Sequence, residues 1–395
     1  MTTPEGSDLS HWPAVGPVAD WLGRPPGFPA ATGADDPEDP EESGGAAEAG
    51  QAAWLRAVFR FSRADGSAMF GPRGRSPGRL LALGHAARAA GDARLASVLD
   101  RWRPARRARG EADEGWAPPP LASAGWLDRP LAVLRPDWTL RGDCVAVDHR
   151  EPGGRSLVEV AGRGVTWLGP GWTSPGLIDP IAPARATYWA TGAHADAYEW
   201  SFRAGWVEVT RTAALIRGGH LAVLMQTEVG AGPGVGEARW ALPDGVEARP
   251  DPTLRALVLT AGAGRPTARL VPLGLPESPY KTERGELVVE GREVVLRQRT
   301  EGPNRCLALL VAWRLQPPRG WRALTVAENS AACPPGTAFA ARVGWGARKN
   351  GLIVYKSLGP AALRSVLGHQ TRARLVVGAF APPGDVHPWV KATDG

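Results

Sequence analysis

The side chains in this sequence that could move protons are few. There are seven His and four Tyr in 395 residues. The tightest grouping is His194, Asp196 and Tyr198. Alternate residues of a strand share one face, so this spacing predicts all three on one side of a sheet. A His–Asp pair could orient the phenol for proton abstraction, or hold a metal. Arg203 and Arg211 are the accompanying candidates. The plainer alternative makes His194 a loop-end residue beside an edge strand. Other constellations are missing from the sequence. No HExxH, HxH or Cys/His spacing suited to a metal occurs, and no GxSxG. Asp148-His149 has no Ser or Cys close to it in sequence. Tyr355-Lys356 with His369 makes a second polar group, read as structural, and His220 is expected at the surface. The glycine-rich stretches at 230–236 and 261–264 lack the strand–loop–helix setting of a phosphate loop and read as hairpin loops. No cofactor and no metal are therefore expected.

Tryptophan is the oddest count: 17, against seven Phe and four Tyr. Trp167, Trp172, Trp189, Trp200, Trp206 and Trp240 fall close together. Indole rings stack on sugar faces, and they also fill cores. Trp167, Trp172, Trp200 and Trp206 are the candidate saccharide contacts if a subset shares one sheet face.

The elements that must position these groups change character along the chain. Residues 51–62 place Trp54, Leu55, Val58 and Phe61 at helical spacing. A second helix is predicted after Ser76-Pro77, and a third from Ala93 to Trp102, with a turn at Gly91-Asp92 and a stop at Pro104. From Trp126 onward, short apolar runs recur between Gly, Pro, Asp and Asn, as in CVAVDHR, WVEVTRTAALI, HLAVLMQTEV and CLALLVAW. Gly218-Gly219 and Glu290-Gly291 are predicted hairpin turns. One short helical turn is expected at Pro360–Leu367. Strands without intervening helices favour antiparallel pairing, and this many require two sheets packed face to face. The fold class is mainly β: a large antiparallel β-sandwich, supersandwich-like, preceded by a short α-helical segment. On the strand from Val207 to Ile216, Arg211 falls on the apolar side with Val207, Val209, Ala213 and Leu215. A buried Arg needs partners, and a structural ion pair is favoured over a ligand-binding guanidinium.

Charge is distributed unevenly. Residues 1–50 carry ten acids and one Arg, and residues 51–110 carry thirteen Arg and three Asp. The expected organisation is a disordered acidic tail at 1–50, a short helical segment and linker at 51–125, and a β-sandwich domain at 126–395. The basic run at Arg101, Arg103, Arg106, Arg107 and Arg109 lacks interleaved aromatics or a reader motif, so nucleic acid is not an expected partner. The four Lys against 42 Arg read as coding bias. The N-terminus has no basic-then-apolar leader, and no apolar run is long enough to span a membrane. Cys144, Cys306 and Cys333 read as free thiols. Together these predict a cytoplasmic protein with no membrane partner.

Two blocks carry a family resemblance. They are Asp196–Phe202 (DAYEWSF) and Gly205–Leu224 (GWVEVTRTAALIRGGHLAVL). They resemble the long paired strands in the β-sandwich part of heparinase II/III-like proteins. Leu134–Asp143 (LRPDWTLRGD) and Val147–Arg150 (VDHR) look like the entry strands of that domain. Leu352–Leu358 (LIVYKSL) and Val366–Gln370 (VLGHQ) look like the closing strands of bacterial relatives. The resemblance covers about residues 126–392 and implies the sandwich fold. It also implies that lyase chemistry, with a Tyr base, a His and a neutralising Asn or His, would sit at a cleft with a helical toroid. Residues 51–125 are too few to form that toroid. The expectation is a non-catalytic sandwich that binds polysaccharide or a protein partner. The first alternative is a polysaccharide lyase using His194, Tyr198 and Arg203 or Arg211. The second is an interaction scaffold whose acidic tail masks the Arg-rich segment.

Overall fold

The computed structural model describes residues 55–63, 69–70, 77–101, 124–125, 130–136, 142–151, 154–177, 183–262, 267–314, 318–345, 351–381 and 384–393. The acidic tail at 1–50 and the basic run beyond Arg101 lie outside them. The described residues fall into two compact units, one holding the helices up to Arg101 and one beginning at Ala124.

The first unit has helical residues at 55–60, then α1 (Pro77–Ala89) and α2 (Ala93–Arg101). Asp92 caps α2, accepting the Leu95 N–H at 3.0 Å, which satisfies one of the helix's orphan donors. Its other oxygen takes the Arg56 guanidinium at 2.6 Å. Leu55, Val58, Phe59, Leu83, Ala87, Leu95, Val98 and Leu99 bury the facing stripes.

The second unit is built of strands, and every pairing among the described residues is antiparallel. Sheet I takes β1 (Ala124–Gly125), β2 (Leu131–Leu134), β3 (Cys144–Asp148), β4 (Leu157–Gly162) and β5 (Val165–Leu168) in sequence order. The next strands are β6 (Trp172–Thr173), β7 (Arg185–Thr191), β8 (Ala195–Ala204), β9 (Val207–Ile216), β10 (Leu221–Val229), β11 (Gly234–Ala241), β12 (Val246–Pro250), β13 (Leu257–Ala261), β14 (Thr267–Pro272), β15 (Gly285–Glu290), β16 (Glu293–Thr300) and β17 (Arg305–Ala312). They sort into the eight-stranded sheet II, ordered β12-β13-β14-β17-β10-β9-β8-β7, and the four-stranded sheet III, ordered β15-β16-β11-β6. The last strands are β18 (Gly320–Ala323), β19 (Val326–Glu328), β20 (Ala331–Ala332), β21 (Ala338–Gly344), β22 (Gly351–Ser357), β23 (Arg364–Val366), β24 (His369–Thr371), β25 (Leu375–Ala381) and β26 (Asp385–Ala392). They give sheet IV (β18-β21-β22-β25-β26) and the small sheet V (β20-β19-β23-β24).

The antiparallel sandwich is as expected, but the layering is deeper than two sheets. One face of sheet II packs Tyr198, Trp200, Leu215, Leu224 and Leu309 against Val147 and Val160 of sheet I and Trp240 and Leu296 of sheet III. Its other face packs Ala197, Ala214, Val223, Met225 and Leu310 against Ala341, Val343, Leu352, Val354 and Val377 of sheet IV. The far side of sheet IV is covered in part by Val326 and Val366 of sheet V. A strand buried on both faces does not alternate, and β10 is buried at eight consecutive positions.

Two turns differ from expectation by a residue or more. The β9–β10 connection is Arg217–His220, between the paired Ile216 and Leu221. Gly218 and His220 hold the positive φ values there. The β15–β16 loop is Gly291-Arg292, a two-residue hairpin with Gly291 at φ 59°. The helical turn expected at Pro360–Leu367 is instead strand β23, paired with β19.

Gly162 closes β4 because Trp313 occupies its side-chain space. A Cβ there would lie 2.0 Å from the indole Nε1. That Nε1 donates to Asp143 at 2.7 Å, so the ring ties the end of β17 to the entry of β3. Gly162→Ala should therefore lower stability by about 1–3 kcal/mol, the usual cost of overpacking. Denaturant titration of both proteins checks this, and an unchanged midpoint would mean the indole is free to move aside.

Candidate functional site

The even-numbered residues of β8 face sheets I and III. Asp196 pairs with Arg217 at 2.7 Å near the strand's start. Tyr198 Oη lies 2.9 Å from His149 Nε2, just past the end of β3. Trp200 stacks almost parallel on the same imidazole, with centroids 5.9 Å apart and 6° between planes. Its Nε1 donates to Ser156 Oγ at 3.0 Å. Trp172 meets Trp200 edge-on at 5.7 Å and Trp240 at 5.4 Å. Tyr198 and Trp200 are wholly buried, and His149 is 1% exposed. Burial sets the protonation of this pair. It pushes the Tyr198 phenol well above its ordinary range and holds His149 down at about 4, against a smaller opposing pull from Asp148. Both groups are neutral at pH 7.

Beside the aromatic stack lies Arg211 of β9, fully buried. The expected ion pair is not what holds it. Its guanidinium donates to Gln226 Oε1 at 3.0 Å, Ser156 Oγ at 2.9 Å, Ser174 Oγ at 2.9 Å and the Trp172 carbonyl at 3.1 Å. The rings of Trp172 and Phe202 flank it, each centroid about 5 Å away. A charge reaches it only at second hand: Gln226 Nε2 donates to Glu228 at 2.7 Å, and Glu228 pairs with Arg305 at 2.7 Å. Desolvation lowers Arg211 to about 9, so it stays protonated at neutral pH. Four acceptors contributed by the loop before β4, by β6 and the residues after it, and by β10 therefore close on one cation.

The opposite face of sheet II carries a second polar centre. Glu199, fully buried, binds Lys356 of β22 and Arg374 before β25. It also accepts the Thr212 hydroxyl at 2.9 Å. This centre ties sheet II to sheet IV; nearby, burial pushes the Cys306 thiol up to about 12 against an opposing pull from Lys356.

The predicted residues are not brought together. His194 lies in the turn before β8, exposed, with its ring against Trp389 at 5.9 Å. The strand begins one residue too late for it to share Tyr198's face. Arg203 is exposed opposite Glu208 on the β8–β9 hairpin, while Arg211 sits in the core. Of the tryptophans, Trp167, Trp172 and Trp200 are fully buried, so they are core and not platform. Trp206, at the β8–β9 tip, is 74% exposed. His149, Ser156, Ser174, Gln226 and Glu199 were not singled out from sequence as site groups. The one available signal was Asp148-His149 at the end of an apolar run. Cys144 and Cys306 are buried free thiols, and Cys333 is partly exposed. Among the described residues, no group of three His, Cys, Asp or Glu forms a metal site, and no helix is long and apolar enough to cross a membrane.

Comparison with solved structures finds the architecture elsewhere. Heparan sulfate lyase HepC from Pedobacter heparinus superposes with a TM-score of 0.55 at 14% identity, over 81% of this chain and 54% of that one. A heparinase III gene product superposes with a TM-score of 0.56 at 11% identity, over 81% and 53%. At these identities the likeness is one of fold, and the chain spans about half the length of either lyase. No family model and no curated protein sequence matches it.

Two measurements probe the core site. His149 is neutral when folded and titrates near 6.5 when unfolded, so the unfolded chain binds the extra proton between pH 6.5 and 4. Stability should fall by about 3 kcal/mol as pH drops through that window. His149→Gln should remove that part of the slope in pH-dependent denaturation, and an unaltered slope would mean His149 is not its source. Arg211→Met removes the donor shared by these four acceptors, although Ser156, Gln226 and the Trp172 carbonyl each keep another, and should cost about 1–3 kcal/mol. Arg211→Lys should recover only part of this, because an ammonium lacks the planar fork.

Proposed function

We propose that this chain is a saccharide-binding β-sandwich of heparinase-like architecture in which neither Tyr198 nor His194 acts as a base for proton abstraction. The observation that carries this reading is the placement of Tyr198 and His149. A lyase base must reach the substrate and lose its proton near working pH. Here the phenol is buried under Trp200 and pushed away from ionisation by burial. His194 is exposed at a turn and engaged with Trp389. Neither arrangement offers a base beside an open cleft.

Saccharide contact is assigned to Trp206. Its indole stands out at the β8–β9 tip, where Gly205 takes a φ of 61°. An open ring of this kind can stack on the C–H face of a sugar. Arg203 and Glu208, exposed and directly opposed on the same hairpin, supply polar contacts to hydroxyl or carboxylate groups. The ligand class proposed is an acidic polysaccharide, a choice supported by the solved heparan sulfate lyase that shares the fold.

The lyase reading has one point in its favour, the fold it shares with two polysaccharide-degrading enzymes. It would require Tyr198 to leave the core. The scaffold reading concerns residues 1–50, outside those described. Incubation with heparan sulfate should give no ultraviolet signal from unsaturated sugar ends, and Trp206→Ala should weaken binding about 3- to 10-fold, the equivalent of about 0.5–1.5 kcal/mol. A clear absorbance rise would overturn the non-catalytic reading. Binding unchanged by Trp206→Ala would remove the hairpin tip from it.

A further inference from the structure

We infer that the outer face of sheet IV carries an oxyanion-binding site formed by Arg322 and Arg342, taking a sulfate- or phosphate-type group. The register puts the two side by side. Trp321 of β18 pairs with Val343 of β21, and Arg322 pairs with Arg342. Trp321 and Val343 point into the core against sheet II. Strand alternation therefore turns both arginines to the other face, where directly opposed side chains start about 5 Å apart.

Two like charges in that position repel, and neither has an acid to offset it. Neither forms an ion pair among the described residues. Glu277, a carboxylate that reaches this edge, accepts the Trp321 N–H instead. Two arginines of sheet III are matched by acids. Arg239 meets Glu237, Glu290 and Glu293, and Arg297 meets Glu237, Glu286 and Glu290.

The surroundings hold the pair ready for an anion. The Arg342 guanidinium lies over Phe380, 5.6 Å from the ring centroid, which fixes its plane and removes water from one side. Both partial burial and Arg322 disfavour its charge. Two rungs along the ladder, on the same face, Gly320, Gly344 and Gly351 are paired in a row ending at Phe380. At Gly344 a side chain would meet nothing closer than a carbonyl oxygen 4.0 Å away. Gly344 thus has open space above it, while at Gly320 a Glu277 carboxylate oxygen lies 2.7 Å from the Cβ position and at Gly351 the Val343 carbonyl lies 2.1 Å from it. Guanidinium forks bind tetrahedral oxyanions bidentately, and a doubly charged one cancels both cations at once. This site lies on a different sheet from Trp206 and does not depend on the saccharide reading.

Thermal unfolding of the full chain tests the site, with sodium sulfate compared against sodium chloride at matched ionic strength. Sulfate strengthens apolar burial in any protein, so the specific signal is the saturable part. The parent should show a saturating rise of about 2–4 °C. Arg322→Gln and Arg342→Gln should keep only the non-saturating rise, and Arg299→Gln, on sheet III, should behave as the parent. In low-salt chloride both site variants should be at least as stable as the parent, since they relieve a repulsion. The same saturable response in parent and site variants, or none in the parent, would overturn the proposal. Dextran sulfate competing where dextran does not would assign an ester group as the ligand. Competition by free sulfate alone would assign the inorganic ion.

Discussion

Sheet II has protein on both faces, and that exclusion of water governs the rest of the unit. Any polar side chain its middle strands carry must be satisfied by the layer above or below, or cost the full penalty of an unpaired buried group. Arg211 and Glu199 are two charged side chains for which this happens. One points toward sheets I and III and gathers Ser156, Ser174, Gln226 and the Trp172 carbonyl. The other points toward sheet IV and gathers Lys356, Arg374 and Thr212. Hydrophobic contact between layers is tolerant of sliding. These fixed donor–acceptor sets are not, and they specify which strand lies over which.

The same constraint decides where function can be found. An imidazole and a phenol 2.9 Å apart would suggest acid–base chemistry in an open cleft. Inside this stack they form a neutral pair packed against Trp200 at the end of β3. Among the described residues, hairpin tips and the outer faces of the end sheets are surfaces open to a large ligand. Trp206 and the Arg322–Arg342 pair belong to those two classes of surface.

The sequence pattern reached some of this and not the rest. The period of two was sound inside β9, and it placed Arg211 among apolar neighbours. It failed at His194, because alternation holds only within a strand and β8 starts at Ala195. The partner of Tyr198 lies 49 positions away, a separation that only the arrangement of the sheets closes. The kind of partner for Arg211 was also hidden. Serine and glutamine are unremarkable letters in a sequence, and their convergence comes from separate strands and loops. The third layer did leave a trace: Leu221–Met225 runs apolar without alternation, which a strand wetted on one side would not tolerate. The tryptophan count pointed to a core more than to a groove, with Trp206 as the exception.

The strand order of sheet II has a consequence for synthesis. β10 lies between β9 and β17, and β17 in turn lies between β10 and β14. After Val229 the chain builds most of sheet III and the β12–β14 meander of sheet II, and supplies β17, the strand that joins that meander to β10, only at Arg305. As the polypeptide leaves the ribosome, the apolar edge of β10 and the inner edge of β14 both wait for the same late strand. Until it arrives, the nascent sheet presents two open edges, the feature that favours mispairing between chains. Closure by β17 is therefore a long-range, single-step event. A ribosome stalled before residue 305 would hold the half-built sheet in its most aggregation-prone state.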